Sequence, residues 1–227
     1  MRAPPAVIIF DVNETLLDIA PLGPLFGEWF GDSAMMRQWF AQLVLYSQSL
    51  TLAGRYADFG EIAAAVLAMV AQTHDRELPA DAADRLASTL GTLPAHGDVA
   101  DSVGRLKSAG FTIVTLTNSG AATQRRQLEF AGIDHLFDAQ FSVESVRAFK
   151  PAQATYDSVA SALGVQIDTT MLVACHAWDI VGARAAGCQT GFLRRSGNAE
   201  LAIDGTAADL SIETLEDLAD RLSDLSC

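Results

Sequence analysis

Residues Val7 to Phe10 read Val-Ile-Ile-Phe, an apolar run without polar alternation that stops at Asp11. A strand with one solvated face alternates apolar and polar side chains. A continuous run marks a strand buried on both faces, typically in a parallel sheet covered by helices on each side. Such sheets place ligands beyond the carboxyl ends of their strands, so Asp11 has two readings. It can cap the following helix, a frequent role for aspartate, or it can belong to a site. The segment alone does not choose between them.

The rest of the chain sets the architecture. From Ile19 to about Gly97 no convincing strand occurs. Helical spacing runs through Met35–Leu52, Phe59–Val70 and Ala80–Leu90, and a connector containing Pro94 follows. After Gly97 the pattern alternates: helix to Ala109, strand Thr112–Leu116, helix Ala121–Ala131, strand Phe137–Phe141, helix Ala152–Leu163, strand Met171–Ala174, helix Asp179–Ala186, strand Thr190–Leu193. Leu210 and Ile212 lead into a last helix ending near Leu222. Repeated strand–helix units imply a parallel sheet with right-handed crossovers. The expected fold is therefore α/β: a Rossmann-like, doubly wound parallel core (1–18 and 98–227) with an all-helical insertion (19–97) after the first strand.

Composition excludes several function classes. The 227 residues carry 15 basic and 28 acidic side chains, a formal net charge of −13. This disfavours a nucleic-acid or anionic-membrane surface, and an anionic substrate would need a local cation. Lys107 and Lys150 are the only lysines, so a lysine near a strand end stands out. Cys175, Cys188 and Cys227 make neither a CxxC pair nor a metal-binding spacing, as expected of a reduced, cytoplasmic protein. The N-terminal apolar run is too short for a signal peptide or membrane span.

Polar clusters fall at four strand ends: Asp11 with Thr15; Thr117, Asn118 and Ser119; Arg147 to Pro151, with Lys150; and Cys175, His176 and Asp179. One cluster would be ordinary helix capping. Four, with two carboxylates and a lysine converging on one crevice, point to an active site. Thr117–Ser119 can offer hydroxyl, amide and backbone N–H groups to an oxyanion or simply cap the next helix. His176 and Asp179 each have a packing or capping reading beside the functional one. Trp39, Phe40 and Tyr46 read singly as core, and His74, His96 and His135 as surface or loop residues.

FDVNETL, TLTNS, FKP and ACHAWD resemble, in order, the four motifs of the haloacid dehalogenase superfamily, and the helical insertion is similar to its cap. VLYSQSLTLAGRYADF, KPAQATY, HAWDIVGARAAG and RRSGN more closely resemble type II 2-haloacid dehalogenases. The resemblance implies a hydrolase without cofactor or metal, acting on short 2-haloacids, and a homodimer. It implies that Asp11 displaces halide to form an aspartyl ester, which water then cleaves to a 2-hydroxy acid. Lys150 would hold the carboxylates by charge and Asp179 would position or deprotonate the water. Val12, Thr15, Trp39, Phe40, Thr117, Asn118, Tyr156, His176 and Trp178 would surround the substrate, with Thr15 orienting Asp11 and Tyr156 supporting the network.

Four positions refine this expectation. Superfamily phosphatases carry a second aspartate two residues after the nucleophile to protonate a leaving alcohol; here that residue is Asn13, and a halide needs no proton. The acidic Mg²⁺ ligand near the start of the fourth motif is by register Cys175, a soft donor ill suited to Mg²⁺, although Asp179 could serve instead. The cap Trp-Arg of the type II enzymes is here Trp39-Phe40, with Arg37 one helical turn away, and their asparagine is His176. A histidine N–H directed at the departing halide would suit fluoride, making fluoroacetate a candidate substrate. The alternatives are a Mg²⁺-dependent phosphomonoesterase and a non-catalytic binding member.

Overall fold

The computed structural model describes residues 4–223; Cys227 lies outside them. Six parallel strands, β1 (Val7–Phe10), β2 (Thr112–Thr117), β3 (Ala139–Ser142), β4 (Thr170–Ala174), β5 (Gln189–Leu193) and β6 (Leu210–Ile212), form one sheet in the order β3-β2-β1-β4-β5-β6. β1 lies at the point where strand order reverses, between β2 and β4, with Ile9 in register with Val114 and Leu172. All four of its residues are buried. This matches the uninterrupted apolar run and puts Asp11 at the crevice where doubly wound sheets bind ligands.

Helices α1 (Gly23–Phe30), α2 (Met35–Leu52), α3 (Phe59–Thr73) and α4 (Ala82–Leu90) occupy the expected insertion. α1 is an addition to the sequence expectation. Its glycines and Pro24 weaken the helical pattern, but it buries Phe26, Trp29 and Phe30, and Phe26 packs 5.4 Å, ring to ring, from Trp39 of α2. α3 runs past the anticipated Val70 to Thr73, started by the Asp58 side chain accepting from the Gly60 amide at 2.7 Å. The chain enters and leaves the insertion side by side: Asp18 N–H donates to the Pro94 carbonyl at 2.8 Å and His96 N–H to the Leu16 carbonyl at 2.9 Å.

The core is completed by α5 (Val99–Ser108), α6 (Ala121–Phe130), α7 (Gln153–Leu163), α8 (Ala177–Ala186) and α9 (Leu215–Ser223). β3 begins and ends slightly later than the alternation suggested, and α8 begins at Ala177, so His176 rather than Asp179 occupies the cap position. That shift is consequential. It places Asp179 in the first helical turn, fully buried against the sheet.

Candidate active site

Asp11 leaves β1 with 4 % of its surface exposed. Its Oδ1 accepts from Lys150 Nζ at 2.8 Å, and its Oδ2 from the Thr15 hydroxyl at 2.7 Å. Lys150 is fully buried and also donates to Asp179 Oδ2 at 2.6 Å and to the Leu116 carbonyl at 3.0 Å. Asp179 Oδ1 accepts from the Tyr156 hydroxyl at 2.6 Å. A buried ammonium with three acceptors is geometrically complete, the condition under which a buried charge is tolerated.

The fourth strand end extends this arrangement. His176 Nδ1 lies 3.2 Å from Asp11 Oδ2, and its Nε2 lies 3.0 Å from Glu14 Oε2. Glu14 is in turn paired with Arg37 from α2, which also donates to the Ser196 carbonyl at 3.0 Å. Between two carboxylates a histidine is best satisfied as an imidazolium donating both N–H groups. The chain of contacts therefore alternates in sign: Asp179, Lys150, Asp11, His176, Glu14, Arg37.

Proton affinities follow from this order. Burial would raise Asp11, but the Lys150 ammonium and His176 together hold it well below the usual carboxylate range. Burial would likewise raise Glu14, and His176 and Arg37 lower it. Asp179 is raised by burial and by the charge of Asp11, against the pull of Lys150 and Tyr156. His176 is raised well above the ordinary histidine value: burial opposes its charge, and Cys175, Asp11 and Glu14 outweigh it.

Above Asp11 lies a cavity of about 10 Å³ lined by Phe40, Val44, Phe59, Thr117, Asn118, His176 and Trp178, together with Asp11 and Asn13. That is room for about one water. It adjoins an outer cleft of about 370 Å³, with Phe40, Val44, His176 and Trp178 common to both and Glu14 and Arg37 on the outer wall. Trp178 stacks on His176 at 5.0 Å between ring centres. The Asn118 carbonyl oxygen accepts from the Lys150 N–H at 3.0 Å, leaving its amide nitrogen as a donor for a ligand.

The structure thus brings Asp11, Thr15, Phe40, Thr117, Asn118, Lys150, Tyr156, His176, Trp178 and Asp179 into one cluster. Of the residues expected to surround the substrate, Thr15 and Tyr156 bind Asp11 and Asp179 and line neither cavity, and two others fall outside the cluster. Trp39 is fully buried inside the insertion, donating its indole N–H to the Ala63 carbonyl at 3.0 Å, and acts as core beneath Phe40. Val12 is buried outside both cavities, its carbonyl accepting from the Leu16 and Leu17 amides. The expected donation from His176 to a halide is also corrected, because both ring nitrogens already face carboxylates.

Glu14 and its supports were missed from sequence. Glu14 has φ 68°, a left-handed conformation that non-glycine residues seldom adopt. His96, expected to be an ordinary loop residue, holds the Glu14 carbonyl at 3.0 Å. Arg195 of the RRSGN segment grips the adjacent Thr15 carbonyl at 3.1 Å and both oxygens of Asp98 at 2.8 and 3.0 Å. From sequence, neither His176 nor Arg37, the two basic residues that flank Glu14 in the structure, was linked to it.

Metal-type donors are present but committed. Glu14, Cys175 and His176 approach one another, yet both Glu14 oxygens are engaged by Arg37 and His176. A thiol and an imidazolium also do not suit an oxygen-seeking Mg²⁺. Asn13 donates its amide N–H to Ser119 Oγ at 3.1 Å and accepts from Gln127 at 3.0 Å, which fixes it as a neutral structural link.

The family model "haloacid dehalogenase-like hydrolase" matches residues 5–187. The chain is 30 % identical over 192 residues to "(S)-2-haloacid dehalogenase 4A" of Burkholderia cepacia, covering 84 % of this chain and 83 % of that protein. It is 26 % identical over 159 residues to "Haloacetate dehalogenase H-2" of Moraxella sp. (strain B), covering 70 % and 71 % of the two chains. A crystal structure described as a dehalogenase with intermediate complex superposes with a TM-score of 0.90 at 25 % identity, covering 98 % of this chain and 99 % of that one.

Proposed function

The chain belongs to the haloacid dehalogenase-like hydrolases, and from that membership and the site geometry we propose that it hydrolyses the carbon–halogen bond of short 2-haloacids, haloacetates included. Asp11 attacks the halogen-bearing carbon, the halide leaves with the bonding pair, and an aspartyl ester forms. Water then adds to the ester carbonyl carbon, regenerating Asp11 and releasing a 2-hydroxy acid. The observation that carries this reading is the setting of Asp11: its carboxylate lies 2.8 Å from the Lys150 ammonium and 3.2 Å from the His176 ring, beneath a cavity with space for about one water.

Each partner has a defined part. Lys150 and Thr15 fix the carboxylate for in-line attack. Thr117 and Asn118 hold the substrate carboxylate through the threonine hydroxyl and the asparagine amide nitrogen. Tyr156 and Asp179 hold Lys150 in place through the Asp179 carboxylate, and Asp179, whose proton affinity burial raises, takes the proton of the attacking water. The confined space where the inner cavity meets the outer cleft, between Phe40, Val44, His176 and Trp178, favours the smallest acids, and fluoroacetate is among the proposed substrates.

The test is halide release from chloro-, bromo- and fluoroacetate in the presence of EDTA, beside an Asp11→Asn control. Chloride and bromide release by wild type and none by the control is expected; no release by wild type refutes the reading. A phosphomonoesterase would instead show EDTA-sensitive hydrolysis of p-nitrophenyl phosphate.

Two further attributes belong to the same proposal. The protein is a homodimer, a reading supported by the exposed Leu45 and Leu52 of α2 at 54 % and 90 %. It resides in the cytoplasm, a reading supported by the free thiol of Cys175. Among the described residues no helix is long and apolar enough to cross a membrane.

A further inference from the structure

The two halves of the proposed reaction have different leaving groups. A halide departs unaided, but cleavage of the aspartyl ester expels the alkoxide of a 2-hydroxy acid, a strong base that needs a proton. Asn13, locked between Ser119 and Gln127, cannot supply one. His176 can. The geometry points to His176 as the general acid of ester hydrolysis, with Glu14 as the positioning residue that keeps it protonated and aimed at Asp11. This inference rests on the dehalogenase reading.

The two Asp11 oxygens are not equivalent. Oδ1 accepts from Lys150, whereas Oδ2 accepts from the Thr15 hydroxyl at 2.7 Å and lies 3.2 Å from the Nδ1 of His176; Lys150 and Thr15 are fully buried, and His176 alone of the three lines the cavity. Oδ2 is therefore the oxygen presented to substrate, and the ester formed on it stays beside the imidazolium N–H. Before attack that N–H serves an anion. Afterwards Asp11 is neutral, and the same N–H has the ester oxygen as its acceptor.

Hydrolysis then balances. Water adds its oxygen to Cγ and its proton passes to Asp179. The Cγ–Oδ2 bond breaks, and the departing oxygen leaves with the electron pair and takes the Nδ1 proton of His176. Asp11 is left as a carboxylic acid bearing the hydroxyl from water. It returns that proton to the vacated Nδ1, restoring both the carboxylate and the imidazolium, and Asp179 loses its proton to solvent. One proton is released overall, as ester hydrolysis near neutral pH requires.

The groups facing His176 are Asp11 at the end of β1, Glu14 in the loop after it, Cys175 at the end of β4, and, through Glu14, Arg37 of α2; Lys150 lies beyond Asp11. Glu14 is the neighbour that stays anionic through the cycle. It holds Nε2–H at 3.0 Å and fixes the ring, and the charge of Glu14 keeps the imidazolium stable while Asp11 is esterified.

The experiment is a chemically quenched single turnover of chloroacetate by wild type, His176→Gln and Glu14→Gln. Halide and the glycolyl ester on Asp11 are measured, the ester by intact mass, with circular dichroism to confirm folding. Glutamine at 176 keeps a hydrogen-bond donor but no transferable proton. The His176→Gln variant is expected to release about one halide per site and then stall as the ester, hydrolysing about a hundredfold more slowly or worse. In wild type, ester hydrolysis should decline on the alkaline side as His176 loses its proton, and Glu14→Gln should move that decline to lower pH. Ester hydrolysis by His176→Gln within a few-fold of wild type overturns the inference, as does a variant that fails to release the first halide and forms no ester. Wild type that releases no halide overturns the underlying reading instead.

Discussion

Replacing Lys150 with methionine tests the charge arrangement at its most buried point. Lys150 Nζ binds Asp11 at 2.8 Å, Asp179 at 2.6 Å and the Leu116 carbonyl at 3.0 Å, with no exposed surface. At an effective dielectric of about 20 each ion pair is worth roughly 6 kcal/mol of gross attraction, much of it spent on desolvation. Removing the cation strands two carboxylates, and breaking buried pairs in this way costs about 3–5 kcal/mol. For a chain of this size that is a fall in Tm of roughly 6–20 °C. In wild type Asp11 is depressed, so its stabilisation is present above the unfolded value and lost as pH falls through the folded one. In Lys150→Met, burial and mutual repulsion raise Asp11 and Asp179 above their unfolded values. Their penalty is then largest near neutral pH and fades as acid protonates them. Urea unfolding followed by tryptophan fluorescence at about pH 7.5 and about pH 5 should therefore show a gap from wild type that narrows in acid. A loss under about 1 kcal/mol, the scale of an exposed pair, or a gap independent of pH, would refute the reasoning.

Two other changes probe the support behind the lysine. Tyr156→Phe removes the 2.6 Å hydrogen bond to Asp179 Oδ1 and should cost about 1.5–3 kcal/mol by urea titration, with ester hydrolysis slowed more than halide release. At Gly182 of α8 an added Cβ would meet Pro151 Cβ at 2.3 Å and the Tyr156 hydroxyl at 2.6 Å. Gly182→Ala should therefore destabilise by about 1–3 kcal/mol and lower kcat by displacing that hydroxyl, whereas unchanged kcat with lost stability would confine its role to packing.

The sheet was legible because burial on both faces writes itself into sequence as runs without alternation, and the strand ends follow from those runs. Asp11, Lys150 and Asp179 could be found because their residue types are unusual at such ends. Helix α1 could not: Gly23, Pro24 and Gly27 weaken the local pattern, and the helix is held by tertiary burial of Phe26 and Trp29. Trp39 was misassigned for a related reason, since an aromatic next to a cavity residue looks the same whether it lines the cavity or supports it. Glu14 was hidden by two facts absent from any local window. Its backbone is left-handed, and its partner His176 lies 162 residues away.

The alternating chain also directs the reaction. With Asp11, Glu14 and Asp179 ionised and Lys150, His176 and Arg37 charged, the six groups sum to zero. A bound haloacid adds the negative charge of its own carboxylate. Attack converts Asp11 to a neutral ester, leaving the cluster with one excess positive charge beside that carboxylate, and the halide carries the negative charge away. The intermediate is therefore the electrically balanced state of the site, favouring halide expulsion without a dedicated proton. The net charge of −13 works in the same direction by repelling the departing anion. It would also repel the incoming substrate, and Arg37, partly exposed on the wall of the outer cleft, supplies the local cation at the entrance. The excess positive charge then resides where it is next needed. His176 can give up a proton to the alkoxide only once Asp11 has ceased to be an anion, so the same event that expels halide prepares the acid for the second half.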